Sequence, residues 1–507
     1  MAQQEYSISL KTTFPMLHSK QSRTIIGAAI GEAPSADNRP GIAYCHNVMP
    51  TEYGVTSIAY KETVPVVPGL AINETFVDVR AAFGDEKSRI YLAWTSAGEV
   101  YVLRTGPYVS EAWYILPTTS PAVTLPLDPD TITIGNVDGI SYIFYANSGG
   151  FTYSESTNSL VAVAFNGLSI TDILGLTSTS GYLIAYSVDA VAWSSTIDPT
   201  DFVPSQITGA GGGKVAGIAG DIKFCTHNSL GILVYSEANV IAGNFTGNSQ
   251  FPFRFKEIED SKGGISLDLT AYQANSGTQF VFSKGGLQAI KIAKAETIFP
   301  SMTDFLTGRR FEDFNESTMQ YEITDIAENA TMYKKIKYIA SRYLIMSYGV
   351  AGFTHAIVLD TSLQRLGKLK IDHTDVFEYV NLQSEVAREN IAFLKSDGSV
   401  SIVDFAVTNE NSSGLLVLAK LEQSRGRFIA LQEIEVETIE SDAAISVYDQ
   451  VSLDGKNFTT VQATLDESTP GYRLYKLRAE GKNHGVVLKG KFDATTVQVT
   501  YIQSSRR

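Results

Sequence analysis

One phrase recurs along this chain: a short β-run ending in an aromatic residue, a turn of Ser, Asn, Asp or Gly, then a second β-run. It first appears as Ile90–Trp94, Ser96–Gly98 and Val100–Leu103. It returns over Tyr142–Tyr153, Tyr182–Trp193, Ile222–Val240, Gln279–Ile292, Tyr343–Leu359 and Ile391–Phe405. Successive starts lie roughly 40 to 60 residues apart. At that spacing each phrase is a small antiparallel sheet whose face only a neighbouring copy can bury, and the cadence predicts a β-propeller.

The chain has 507 residues, more than one hydrophobic core usually serves, so a propeller with a further domain is the expected partition. A hydrophobic fraction of 44% with 25 Tyr and 25 Phe suits half-buried strands and argues against disorder. No apolar run reaches the ~18 residues of a membrane span, so none is expected. The start, Met-Ala-Gln-Gln-Glu, lacks the basic and then apolar layout of a secretory signal, and the chain is expected to mature where it is made. Cys45 and Cys225 are the only cysteines, too few for a disulfide framework, and are expected to be reduced and buried. Six Asn-x-Ser/Thr triplets, at Asn73, Asn244, Asn315, Asn329, Asn411 and Asn457, are what chance yields in a chain rich in Ser and Thr.

Net charge is −14 and unevenly spread. Residues 416–507 carry 12 Lys+Arg and 12 Asp+Glu, which leaves 28 against 42 for the rest, so the whole deficit lies before residue 416. An acidic surface repels phosphate and excludes a protein that grips nucleic acid through counterion release. Solubility alone also accounts for the excess.

Residues 1–75 lack the phrase. Pro34, Pro40, Pro50, Pro65 and Pro68 break them into extended pieces, which predicts a strap that needs something to pack on, with a strand over Val55–Tyr60. The propeller is expected within 76–415. A short helical insertion is expected near 301–318, where Ser301 and Asp304 have capping-box spacing and Met302, Phe305 and Leu306 share a face. From about 416 the pattern becomes an independent β-domain of six to eight short strands, including Ile429–Val436, Ala444–Tyr448, Tyr472–Arg478, Gly485–Lys489 and Thr496–Ile502. The expected fold is therefore all-β: a propeller plus a β-sandwich-like platform built from the N-terminal strap and the C-terminal strands.

No catalytic constellation emerges, and the chain is read as no enzyme. His18, His46, His227, His355, His373 and His484 are scattered without zinc-ligand spacing, and no G-x-S-x-G elbow occurs. Gly209–Gly213 followed by Lys214 has the wrong spacing for a phosphate loop and carries Val215 where a magnesium-binding hydroxyl belongs, so it reads as a mobile or tightly turning loop. Glu257, Glu259 and Asp260 could flank a sugar, but an acidic chain offers many such pairs. Ser452-Leu-Asp454-Gly455-Lys-Asn-Phe458 resembles the Asp-box hairpin of sialidase propellers, yet occurs once and outside the blades, where a plain hairpin explains it. No catalytic, cofactor-binding or metal-ligating residue is therefore expected.

In order along the chain, several features resemble the tail nozzle, or tail tubular protein B, of short-tailed bacteriophages. They are the strap from Asn47-Val-Met-Pro50 to Gly54, the hairpin and loop from Tyr182–Tyr186 through Trp193 to Asp198 and Phe202, Leu344–Tyr348 with Ile357–Asp360, and the C-terminal stretch from Gly426-Arg427 to Asp454-Gly455. The resemblance implies a virion protein made in the bacterial host cytoplasm: a homohexameric ring beneath the portal and adaptor, able to carry tail fibres or tailspikes. Double-stranded DNA would pass through it without specific binding. It carries over no individual site residue and implies no cofactor. A glycan-binding or glycan-cleaving propeller of a phage tail and a generic scaffold propeller are the competing readings, and oligomeric mass separates them.

Overall fold

The computed structural model describes residues 3–9, 42–68, 70, 74–84, 89–105, 112–116, 132–145, 149–154, 159–229, 231–248, 251–274, 276–291, 293–298, 310–325, 333–363, 365–381, 388–404, 412–418, 421–422, 428–439, 444–454 and 458–503. The chain is all-β, and its larger part is a β-propeller with seven four-stranded blades among the described residues.

Blade 1 consists of Phe76–Gly84, Arg89–Thr95, Val100–Thr105 and Trp113–Ile115. Blade 2 consists of Ile132–Val137, Ile140–Tyr145, Gly149–Ser154 and Ser159–Val163. Blade 3 is Gly175–Thr179, Tyr182–Tyr186, Ala190–Trp193 and Gly211–Lys214. Blade 4 is Phe224–Asn228, Gly231–Tyr235, Val240–Phe245 and Phe253–Glu257. Blade 5 is Thr270–Gln273, Thr278–Ser283, Gly286–Lys291 and Lys294–Thr297. Blade 6 is Tyr333–Ile339, Tyr343–Gly349, Phe353–Asp360 and Arg365–His373. Blade 7 takes Asp375–Asn381, Arg388–Leu394 and Val400–Asp404 from one end of the chain and Ala59–Val64 from the other.

Each recurring sequence phrase falls within one blade, chiefly on its second and third strands. These strands are apolar on both faces because both faces are covered: Tyr182–Tyr186 and Gly231–Tyr235 are buried throughout. Interblade cores run around the circle. Leu92 and Trp94 of blade 1 pack with Ile143 and Tyr145 of blade 2, and Tyr91 and Val79 of blade 1 pack with Phe377 and Tyr379 of blade 7. The first strands of blades 2, 3 and 4 touch in turn, as do those of blades 5, 6, 7 and 1.

The remaining strands form a sandwich. One sheet joins Gln3–Ser9, Val55–Ser57, Asp493–Gln503, Ile429–Thr438, Tyr472–Gly481 and Thr464–Thr469, and the other joins Ile42–His46, Gly414–Leu418, Asn483–Lys491, Ala444–Ser452 and Thr459–Gln462. Leu416, Ile434, Val447, Leu488 and Val499 fill the space between them. Val48–Pro50 pairs with Val55–Ser57 and, at Val48, with Lys368 of blade 6. Blade 6 and one sandwich sheet are therefore one continuous sheet.

Asn47 fixes the strap at this crossing. Its φ of 53° turns the chain sharply, which Asn tolerates better than most residues. Its side-chain carbonyl accepts from the Tyr60 hydroxyl at 2.8 Å and the Lys370 amide at 2.9 Å. At Gly54, an added Cβ would stand 2.0 Å from the Ala494 carbonyl oxygen, so only glycine lets the strap approach the last strand.

Three sequence expectations change. The strap is shared rather than belonging wholly to the platform, since Ala59–Val64 completes blade 7. In the expected 301–318 insertion, Arg310–Asn315 is a strand paired with Gln320–Asp325. This part is a hairpin whose Phe314 is fully buried beside Tyr44, Leu415 and Val487, while 301–309, with the capping-box residues, lie outside the described residues. Finally, Gly211–Lys214 is the outer strand of blade 3. A Cβ on Gly212 would meet the Val191 carbonyl oxygen at 2.8 Å, so these glycines permit close strand packing.

Candidate functional site at the propeller axis

The axis is closed on one side by charge. Lys335 and Lys337 stand two apart on the first strand of blade 6 and so share a face. Lys335 Nζ lies 2.8 Å from Asp78 Oδ1 of blade 1 and 3.1 Å from Asp375 Oδ1 of blade 7. Lys337 Nζ lies 3.1 Å from Asp375 Oδ2 and donates to the Val79 carbonyl at 3.2 Å, while the Val79 amide donates to Asp375 Oδ2 at 2.9 Å. Asp268, entering blade 5, reaches within 4.0 Å of Lys335. Burial drives the Asp375 carboxyl above the usual carboxylate range, against the pull of both lysines. Four blades are thereby tied across the axis by interactions that must all be satisfied, because each charge is largely withdrawn from water.

Beside this cluster lies a cavity of about 330 Å³. It is lined by Thr133 and Thr177 of blades 2 and 3, Thr226 and His227 of blade 4, and Tyr272 and Gln279 of blade 5, with Asp268 and Lys337 at the boundary with the ion cluster. His227 is exposed as a residue, yet burial of its imidazole by the surrounding wall lowers its pKa. The ring meets Tyr272 edge-on at 5.2 Å. Gln279 is 1% exposed, and its Oε1 has no hydrogen-bond partner among the described residues.

A second polar cluster joins propeller to platform. Asp313, on the 310–325 hairpin, accepts from the Tyr44 hydroxyl at 2.9 Å and Lys370 Nζ at 2.8 Å, with His355 Nε2 at 3.3 Å. Burial would raise its carboxyl pKa, but His355 and Lys370 hold it far below the usual range. Glu316 pairs with His46 at 2.8 Å and Lys489 at 2.7 Å, and these hydrogen bonds bring it down to about 2. Desolvation lowers His355 to about 4. The arrangement is a clamp between hairpin, strap, blade 6 and sandwich.

The histidines do not converge. His46 and His355 belong to this clamp, His373 Nε2 meets Ser347 Oγ at 2.8 Å in blade 6, and His484 Nδ1 meets Asp449 Oδ2 at 2.7 Å inside the sandwich. His18 lies outside the described residues. Glu257 accepts from Asn239 Nδ2 at 3.0 Å and Asp260 pairs with Lys294 at 3.4 Å, so those carboxylates serve blade edges. Ser452 Oγ donates to Asp454 Oδ1 at 3.1 Å at the start of the Asp-box-like turn, and 455–457 lie outside the described residues. Cys45 and Cys225 are free and buried, and burial raises the Cys45 thiol to about 12. Among the described residues no group of His, Cys, Asp and Glu could hold a metal ion, and no helix is long and apolar enough to cross a membrane. The axial ion cluster escaped the sequence reading. Its one local signal was Lys335 and Lys337 at a two-residue spacing in the lysine-rich strand Tyr333–Ile339.

No family model matches the chain, and no curated protein does either. Among solved structures, the WD40 β-propeller domain of Doa1 is similar at 10% identity and TM-score 0.37, covering 69% of this chain and 98% of that one. YCF48 from Cyanidioschyzon merolae is similar at 10% identity and TM-score 0.36, over 68% and 98%. The extracellular domain of the putative one component system BT4673 from B. thetaiotaomicron is similar at 10% identity and TM-score 0.40, with 81% of this chain spanning 48% of that one. These likenesses concern β-propeller architecture alone.

Proposed function

We propose that this chain is a non-catalytic structural subunit of a short-tailed phage tail nozzle, a homohexameric ring through which DNA leaves the virion. The observation that carries the proposal is the continuous sheet from blade 6 into the platform, locked by the Asp313 clamp. A subunit built this way transmits load between a platform and a propeller without a hinge, as a ring component must. The propeller's own axis holds an ion cluster and a small cavity, so the duplex runs between subunits. The acidic excess before residue 416 suits such a passage. Each lumenal carboxylate is repeated around the ring, and the summed field repels phosphate within a Debye length of ~8 Å at physiological salt.

The charge-balanced C-terminal strands then serve subunit and portal–adaptor contacts, with fibres or tailspikes attached outside. Electron microscopy of the purified protein, alone and mixed with its portal and adaptor, tests this reading. Six-fold rings that cap the adaptor are the expected result, and a monomer or trimer that ignores it defeats the proposal. The glycan-cleaving alternative is tested by hydrolysis of host polysaccharide: turnover lost on replacing one carboxylate would favour it.

A further inference from the structure

We propose that the axial cavity is a binding site for a neutral hydroxylated molecule of monosaccharide size, independent of the conduit reading. A buried polar atom without a partner is uncommon and asks for an explanation. Here Gln279 Oε1 is such an atom, and it belongs to a residue lining a cavity of about 330 Å³. That volume falls at the lower end of small-ligand sites.

The chemistry of the wall narrows the class. Thr133 Oγ1 accepts the Leu176 amide at 2.7 Å, which leaves its own proton to donate. Thr270 Oγ1 donates to the Leu267 carbonyl at 2.7 Å, which leaves its oxygen to accept. His227, its pKa lowered by desolvation, is neutral at pH 7 and supplies one donor and one acceptor. Gln279 supplies an acceptor in want of a donor, and Tyr272 supplies an aromatic face beside His227. The wall thus offers both donors and acceptors, as vicinal hydroxyls require. The formal charges at the cavity's edge are already committed: Lys335 and Lys337 to Asp78 and Asp375, with Asp268 close to Lys335. No free cation among these is left to receive a phosphate.

Saturation-transfer NMR on the full chain, with glucose, galactose and N-acetylglucosamine as probes and glucose 6-phosphate as the anionic control, tests the assignment. Signal from at least one neutral sugar, weaker for the phosphate, is expected. Gln279→Leu removes the unpaired carbonyl and should keep or raise thermal stability, yet weaken sugar binding by about tenfold or more. His227→Ala, at a solvent-reached position, should weaken it likewise with the fold retained. No transfer from any of the three sugars, a phosphate that binds as well as its parent, or binding unchanged in Gln279→Leu would each overturn the proposal.

Discussion

Lys335 of blade 6 and Asp78 of blade 1 meet at 2.8 Å across the propeller axis, although 257 residues separate them in sequence. Both side chains are almost wholly withdrawn from solvent, at 4% and 0% exposure. The pair turns the ring of blades into a braced circle, with Asp375 of blade 7 shared between Lys335 and Lys337.

Replacing Lys335 by Met should therefore be costly. It takes the close cation from the buried Asp78 and leaves Asp375 with Lys337 alone, and breaking a buried pair in this way costs about 3 to 5 kcal/mol. Adding Asp78→Asn to Lys335→Met should recover part of that loss. Denaturant titrations of the propeller's unfolding check both. A single variant as stable as the parent would show that the cluster does not brace the ring.

The joint between propeller and platform should weaken in acid. Glu316 is held at about 2 in the fold, against about 4.3 in an unfolded chain. Its contribution is present above the unfolded value and is lost as pH falls toward 2. Asp313, held far below its usual range, acts in the same direction. His355, lowered to about 4, binds a proton more readily when unfolded, so stability declines as pH falls from about 6.5 to 4. Unfolding temperature should fall through both windows, and Glu316→Gln should flatten only the lower one. A profile level from pH 7 to pH 3 would contradict this account.

Closure of the ring by Ala59–Val64 predicts the behaviour of a nicked protein. Cleavage between Val67 and Thr75 should leave the N-terminal piece attached, because it supplies a strand to blade 7 and others to the sandwich. Gel filtration without denaturant should show one complex. A soluble, free N-terminal fragment with the rest still folded would refute the shared strap.

Asn47→Ala should loosen the same strap. It removes two hydrogen bonds at the crossing and leaves at a φ of 53° a residue without the short polar side chain that lets Asn tolerate that conformation, for a combined cost of about 2 to 4 kcal/mol. Asn47→Gly keeps the backbone conformation and loses only the bonds, so it should be the milder variant. Thermal denaturation ranks the two, and the opposite order would remove the backbone argument.

If the chain forms the proposed ring, a lumen lined by the acidic region should bind DNA weakly. At ~0.15 M salt the assembled ring is expected to show little retention of duplex DNA. Tight, salt-sensitive binding, or a bore lined mainly by Lys and Arg, would defeat the charge argument even if the ring itself is found.

The sequence by itself determined the repeating architecture. Seven phrases correspond to seven blades because the aromatic and β-branched runs, separated by Gly and Asn turns, report locally which residues must be buried and where the chain must reverse. Proline spacing likewise marked the strap as extended, and the change of pattern near 416 marked the sandwich. Burial pattern, however, does not say what does the burying. Only tertiary structure decided that Ala59–Val64 pairs with Val400–Asp404, that Gly211–Lys214 is a strand packed near Trp193, and that the 310–325 hairpin clamps the platform. The charged residues of the axis were legible only as surface-like lysines and aspartates. Their meaning depends on first strands from blades far apart in sequence meeting at one axis, where low dielectric turns ordinary charges into a shared, fully committed network.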